Sequence, residues 1–361
     1  MGEEMAKHEE ISQWLRERIQ DGTYTASDRL PSENKLAANF GCCRQTIRQA
    51  IGSLVSEGLL TRTQGSGTFV SVPDNRKDAT PQKATKRIGV LIACPEDFLF
   101  PDILQGIEEV LSEQQYTISL GITHNRPTDE ESCLCRMLED GVDGIIIEGT
   151  KTAQPNVNEM LYQKIKERSI PVVFLNSCHS GCRESYVILD DIRAGEIAAE
   201  ALIAKGHTRI GGIFPSDDLR GIKRYEGFRN ILVNNGLLLQ ENSVLWYTSE
   251  QLPSLFTGNP DDKILSCFSD ITGFVCCNDQ IAVSLLQLFY RCKRENLENC
   301  SVASIGNSVF AEFAADALLC DFISVRCPAY ELGYQAAELM LKKLADSSCR
   351  EQIILLPKVH S

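Results

Sequence analysis

Arg44, Gln45, Thr46 and Arg48 stand near the start of a helical pattern whose apolar residues, Ile47, Ala50, Ile51, Leu54 and Val55, fall on the opposite face. A guanidinium can bond the O6/N7 edge of guanine, and a glutamine amide can bond adenine. Such a helix end therefore carries the chemistry for reading a major groove. Two short strand patterns follow, Leu59-Leu60-Thr61-Arg62 and Thr68-Phe69-Val70, around Gln64-Gly65-Ser66-Gly67. Glycines there admit positive φ and let a hairpin tip approach a minor groove closely. A solvated basic face on a three-helix bundle accounts equally well for two arginines and a glutamine.

A second set of chemistry-bearing residues lies far downstream, in segments that follow apolar runs. Phe98 and Phe100 can stack on the C–H faces of a sugar, and Lys151, Arg220, Arg224, Asn278, Asp190 and Asp191 can meet hydroxyls. Each also has a plainer reading: the phenylalanines as core, Asp190-Asp191 as a cap for the helix from Ile192, Lys151 as a solvated loop charge.

The elements that must position these groups follow from periodicity. Ile11, Trp14, Leu15 and Ile19 predict a first helix ending near Gly22. Pro31 and Ser32 open a second, with Ser32 as N-cap, Glu33 in the positive first turn and Gly41 as the stop, and the third runs from about Cys43 to Glu57. Residues 73–87 carry no large apolar side chain and read as a flexible linker. From residue 88, apolar runs (88–93, 116–120, 144–147, 171–175, 210–214, 273–276, 302–305) alternate with helical patterns, the signature of parallel sheets covered by helices. Ligands in such folds bind beyond the strand C-termini, which makes 95–101, 148–152, 176–180, 215–224, 278–279 and 306–308 the segments of interest.

Composition bounds the rest. At 361 residues, with 43% hydrophobic and 24% charged side chains, two or three globular domains are expected. No stretch approaches the ~20 apolar residues of a membrane span, and the acidic start lacks a secretory apolar core, so a cytosolic location is expected. The net charge of −13 divides unevenly: residues 1–87 hold 13 Lys/Arg against 11 Asp/Glu, a net of +2, and residues 88–361 the other 23 against 38, a net of −15. DNA contact is then expected only on a local basic face of the first part. Fifteen cysteines, an odd number without a secretory signal, read as reduced thiols. Cys178-His-Ser-Gly-Cys182 and Cys133-Leu-Cys135 are the clusters a metal could use, but neither has a matching second ligand pair, so no metal and no cofactor are expected. Gly-x-Ser-x-Gly, Walker, dinucleotide and HExxH motifs are absent, and no enzymatic activity is expected.

Leu30-Pro31-Ser32-Glu33, Arg44-Gln45-Thr46-Ile47-Arg48 and Gly65-Ser66-Gly67-Thr68-Phe69-Val70 together resemble the winged helix-turn-helix of the GntR family. The resemblance implies a DNA-binding domain over 1–72 with Ser32, Arg44, Gln45, Thr46, Arg48, Gln64, Gly65 and Thr68 at the duplex. Cys42-Cys43 replaces the family's Val-Ser, so loss of the helix cap, at about 1 kcal/mol, is expected.

Residues 88–361 resemble the LacI/GalR-type effector domain, related to periplasmic sugar-binding proteins. The likeness rests on Phe100-Pro-Asp-Ile-Leu-Gln-Gly106, Asp140-Gly-Val-Asp-Gly, Leu189-Asp190-Asp191, Arg224-Tyr-Glu-Gly-Phe228 and Asn278-Asp279-Gln280-Ile-Ala282. It implies an α/β fold of two lobes with parallel sheets and three crossings, lobe 1 over about 88–206 and 328–346, lobe 2 over about 207–327 and 347–361. It also implies a sugar between the lobes, held by Phe98, Phe100, Lys151, Asp191, Arg220, Arg224, Asn278 and Asn307, and a homodimer on double-stranded operator DNA. Glu148-Gly-Thr-Lys151-Thr and Asp217-Asp218-Leu-Arg-Gly-Ile-Lys223-Arg224 resemble segments of arabinose-responsive repressors of Gram-positive bacteria, which makes a pentose the expected effector. Two departures stand at Ser304-Ile305-Gly306-Asn307, in place of Gly-Tyr-Asp-Asp, and at Cys327 before Pro328.

Overall fold

A computed structural model describes residues 7–25, 27–56, 59–63, 67–70, 84–239, 241–257, 268–293, 297–306, 309–317 and 320–359. The chain divides into two units, 1–83 and 84–361.

In the first unit, helices α1 (Lys7–Gln20), α2 (Glu33–Phe40) and α3 (Arg44–Ser56) precede an antiparallel hairpin of β1 (Leu60–Thr63) and β2 (Gly67–Val70). The apolar stripes close on one another: Ile11 and Leu15 of α1, Leu36 of α2, Ile47, Ala50, Ile51 and Leu54 of α3, and Leu60 and Val70 of the hairpin form one buried cluster. Trp14 meets Phe40 edge-on at 5.1 Å between centroids. Ser32 caps α2 as expected, its Oγ accepting from the Lys35 N–H at 3.4 Å, and Gly41 ends the helix in the left-handed conformation at φ 57°.

The second unit holds two six-stranded sheets. The first has order β13-β7-β6-β5-β3-β4, from β3 (Arg87–Ile92), β4 (Thr117–Ile122), β5 (Gly144–Ile147), β6 (Val172–Asn176), β7 (Ser185–Leu189) and β13 (Gln352–Leu355), with every pairing parallel. The second has order β14-β12-β11-β10-β8-β9, from β8 (Ile210–Pro215), β9 (Val244–Tyr247), β10 (Gly273–Cys276), β11 (Ser301–Gly306), β12 (Asp321–Arg326) and β14 (Lys358–Val359); only β14 runs antiparallel. Helices α4 (Phe100–Glu113), α5 (Pro127–Asp140), α6 (Glu159–Glu167), α7 (Asp191–Ala204), α8 (Leu219–Asn234), α9 (Leu252–Leu255), α10 (Asp279–Arg291), α11 (Val309–Ala317) and α12 (Ala329–Ala345) connect and cover the strands. The central strands are buried along their length, as Gly144–Ile147 and Val172–Asn176 show, because helices cover both faces of each sheet.

Two lobe boundaries differ from expectation. Helix α7 packs on β10, β11 and β12, so the chain enters the second lobe after Asp190 rather than near 206. Strand β13 pairs with β7 of the first sheet before β14 joins the second, so residues 352–355 belong to the first lobe. The switch at 190 is fixed by close packing of α7 on α8. A Cβ at Gly195 would overlap the Arg224 carbonyl, and one at Gly227 would overlap the Ile192 carbonyl, so only glycine lets the two helices approach this closely.

Candidate functional site

On the first unit, the arginines of the proposed reading face share one anion. Glu33 at the start of α2 accepts from Arg44 Nε at 2.8 Å, from Arg48 Nη2 at 3.2 Å and from Arg62 Nη2 of β1 at 3.1 Å. Hydrogen bonds from Arg44 and Arg48 hold its carboxyl below the ordinary range. Two recognition-helix guanidiniums and one from the hairpin are thus gathered while remaining exposed. Gln45 is exposed beside them. In the sequence Glu33 reads only as a helix-start charge and Arg62 only as the end of a strand.

Cys43 stands just before α3, where the resemblance expects a serine: its Sγ lies 3.2 Å from Thr46 Oγ1, and its carbonyl accepts from the Thr46 N–H at 3.1 Å. Hydrogen bonds from Thr46 lower its thiol pKa. These bonds occupy Thr46, as the α2 cap occupies Ser32 Oγ. Thr68 lies in β2 opposite Arg62, its carbonyl accepting from the Leu30 N–H at 2.9 Å. Gln64 and Gly65 lie outside the described residues.

In the second unit, topology locates the site before any side chain does. Strand order reverses between β3 and β5 in one sheet and between β8 and β10 in the other, and crevices open beyond the carboxyl ends of strands at such points. Glu148, directly after β5, accepts from the Ala93 N–H after β3 at 2.8 Å, from Asn176 Nδ2 at 2.8 Å, and lies 3.1 Å from Arg220 Nη1. Burial pushes its carboxyl upward, and Arg220 opposes that. Arg220 also binds Asp218 through Nη2 at 2.7 Å. Asp218 caps α8 and accepts from Ser177 Oγ at 3.2 Å and Thr152 Oγ1 at 3.1 Å. This network joins the two lobes through side chains from both sheets.

Arg224, 3% exposed, donates Nε to Asp191 at 2.8 Å and Nη1 to the Cys277 carbonyl at 2.5 Å. Among the described residues its Nη2 has no hydrogen-bond partner; nor do Asn176 Oδ1 and Asp217 Oδ1. His179 Nε2 and Ser324 Oγ are likewise buried without a partner among the described residues, and each such atom carries a desolvation cost.

Other expected effector residues have different places. Lys151 is not a solvated loop charge: it is buried at positive φ (50°), and its Nζ bridges Asp217 and Glu250, the latter at 2.7 Å. With Asn125 Nδ2 donating to Ser249 Oγ at 2.6 Å, it ties the first lobe to the loop after β9. Asn278 caps α10, its Oδ1 accepting from the Ile281 N–H at 3.0 Å, which leaves its amide nitrogen for other contacts. Phe100 packs against the core and, with Cys94, Asp97, Glu148 and Asn176, lines a small cavity. Phe98 is half-buried in the same loop, and Asn307 lies outside the described residues. Asp190, not Asp191, caps α7, accepting from the Arg193 N–H at 3.0 Å. A larger cleft of about 1010 Å³ opens beside these loops, lined by Cys94, His124, Glu250 and Gln280 among others.

Residues 85–357 match the model for periplasmic binding proteins and the sugar-binding domain of the LacI family, and residues 7–70 that for gntR-family bacterial regulatory proteins. The chain belongs to the LacI family of sugar-binding regulators. As a LacI-family chain with a gntR-type reader, it is 30% identical to an arabinose metabolism transcriptional repressor of Halalkalibacterium halodurans over 96% of this chain and 90% of that protein. It is 31% identical to one from Geobacillus stearothermophilus, covering 95% and 93%. The fold is also that of the transcription regulator CcpA of Lactococcus lactis, with a TM-score of 0.65 at 24% identity over 77% of this chain and 98% of that one. Among the described residues no helix is long and apolar enough to cross a membrane, and no group of three or more His, Cys, Asp or Glu is placed to hold a metal.

Proposed function

We propose that this protein is a cytosolic, homodimeric transcriptional repressor that releases operator DNA when a pentose, L-arabinose in the first instance, occupies the cleft of its second unit. The single observation that carries the sugar is the Arg224 guanidinium, buried between Asp191 and the Cys277 carbonyl with Nη2 unsatisfied among the described residues. A sugar hydroxyl is the neutral acceptor such a donor requires, and Asn176 Oδ1 and Asp217 Oδ1 supply acceptors for hydroxyl protons. Likeness over nearly the whole chain to arabinose metabolism repressors supports the pentose. Glu33, Arg44, Arg48 and Arg62 supply a DNA face, and no catalytic function is assigned to either unit.

Sugar held by groups from both lobes favours the closed arrangement, and the shift is limited by the sugar's differential affinity for the two states. Isothermal titration against L-arabinose, D-xylose, D-ribose, arabitol and a pentose phosphate tests the reading. Saturable heat with arabinose supports it; no heat with any of the five removes the pentose. Arg44→Ala separately tests the reading face, because a variant that binds operator as tightly as the wild type removes Arg44 from the interface.

A further inference from the structure

Strand β6 ends at Asn176 and β7 begins at Ser185, and the segment between them carries two thiols that the sugar site does not use. The Cys182 N–H donates to the His179 carbonyl at 3.1 Å, closing a turn whose Gly181 sits at φ 75°. The turn folds Cys182 back so that it and Cys178, four residues apart, lie on one apolar cluster. Both pack on the same apolar cluster; Cys178 is 9% exposed, whereas Cys182 is half-buried and open to small reagents.

The surroundings favour a thiolate on Cys182. The neighbouring Cys178 thiol, the Glu184 backbone N–H and the ammonium of Lys343 all favour the charged form. Lys343 is itself buried, donating to Ser185 Oγ at 3.2 Å. The Glu184 carboxylate and burial act the other way. The balance lowers Cys182 to about 7, while the neighbouring Cys182 and burial push Cys178 up, with Lys223 opposing. One sulfur is therefore an accessible nucleophile and its neighbour a sheltered thiol within reach, the arrangement of an attacking and a resolving cysteine.

We propose that Cys178 and Cys182 form a reversible dithiol–disulfide site that a hydroperoxide oxidises. The Cys182 thiolate attacks one peroxide oxygen; an S–O bond forms, the O–O bond breaks, and the leaving alkoxide or hydroxide takes up a proton. Cys182 is then a sulfenic acid. The Cys178 sulfur, on giving up its proton, attacks the sulfenic sulfur; the S–S bond forms, the S–O bond breaks, and water leaves. Two thiols and one hydroperoxide become one disulfide, one alcohol (water, from hydrogen peroxide) and one water. A dithiol reductant reverses the bond by exchange. The site adjoins the seam between lobes, since the preceding residue, Ser177, bonds Thr152 Oγ1 at 2.8 Å and Asp218 at 3.2 Å.

The test uses the full chain. Protein at neutral pH is treated with a small excess of hydrogen peroxide, alkylated, and cut with trypsin, which releases 169–183 with Cys178 and Cys182 as its only cysteines. Expected is an unalkylated peptide lighter by two hydrogen atoms, converted to the doubly alkylated form when dithiothreitol precedes alkylation. A peptide that stays doubly alkylated after peroxide overturns the proposal. In Cys178→Ser, dimedone should label Cys182; in Cys182→Ser, Cys178 should stay unlabelled at the same dose. Label on Cys178 instead would overturn the assignment of roles. On the wild type, which needs no variant to fold, Cys182 alkylation should rise with a midpoint near pH 7; a midpoint near the ordinary thiol value of about 8.5 contradicts an activated thiolate.

Discussion

Replacing Arg224 with methionine separates what the buried guanidinium does for the fold from what it does for ligand. In the native chain it neutralises Asp191, which is itself 3% exposed, at 2.8 Å. Arg224→Met leaves that carboxylate buried without its cation, and breaking a buried pair from one side costs about 3–5 kcal/mol. Each kcal/mol moves the melting temperature by ~2–4 °C in domains of 150–250 residues, so a fall of roughly 10 °C is expected in the second unit. Adding Asp191→Leu removes the orphaned charge and fills its space, and much of the loss should be recovered, because a buried pair replaced by packed apolar groups is often neutral. Sugar binding should not recover. A lost hydrogen bond from a charged donor costs about 1.5–3 kcal/mol, which weakens affinity by roughly 10- to 150-fold. The assay is thermal denaturation of wild type, both single variants and the double variant, beside titration with L-arabinose. Wild-type affinity in the double variant would remove Arg224 from the sugar site, and an Arg224→Met single variant as stable as the wild type would show that Asp191 does not depend on its cation.

Glu33→Gln frees Arg44, Arg48 and Arg62 from their common carboxylate; pairs this exposed are worth ~0.2–1 kcal/mol each, so stability should fall only slightly. Its DNA affinity should rise on non-specific duplex more than on operator, measured by competition at fixed salt, and an unchanged ratio would show that Glu33 does not position the arginines. In the wild type, the Glu33 carboxyl lies below its unfolded value, so its contribution is present above the ordinary glutamate pKa and lost as pH falls through the lower folded one. Acid titration of Trp14 fluorescence in a Trp246→Phe background should show a transition that Glu33→Gln removes; identical curves for the two proteins contradict this. Lys151→Met leaves Asp217 buried without its cation and cuts a tie between the lobes, so small-angle scattering of the sugar-free protein should show a larger radius of gyration. No change in radius would mean that the bridge does not hold the lobes. Gly306→Ala places a Cβ against the buried Asp279 carboxylate and should cost about 1–3 kcal/mol by thermal denaturation, an unaltered melting temperature being the contrary result.

Much of the architecture could be read from local pattern, because apolar runs such as Ile145-Ile146-Ile147 and helical stripes such as Ile47 to Leu54 express their burial in sequence. Arg44, Arg48 and Arg224 stand out in the sequence for a related reason: each sits in a short motif with a fixed order of residues. What stayed hidden depends on partners distant in the chain. Lys151 reads as a loop charge until the fold brings Asp217 and Glu250 to it across 66 and 99 residues. The same holds for Glu33, whose three guanidiniums lie 11, 15 and 29 residues away. The entry of α7 into the second lobe was missed because periodicity reports that a face is buried and not which sheet buries it. Asn278 shows a further limit: an Asn-Asp before a helix serves equally as cap and as ligand donor, and here the cap takes its Oδ1.

The most direct measurement is fluorescence anisotropy of full-length protein on a duplex selected by the protein itself from a random-sequence pool, with and without L-arabinose. Expected are selection of paired inverted half-sites, tight binding that needs Arg44 and Arg48, and release as arabinose is added, with no release in the Arg224→Met/Asp191→Leu protein. Failure to enrich any sequence, or an operator complex indifferent to arabinose and the other pentoses, would contradict sugar-controlled repression.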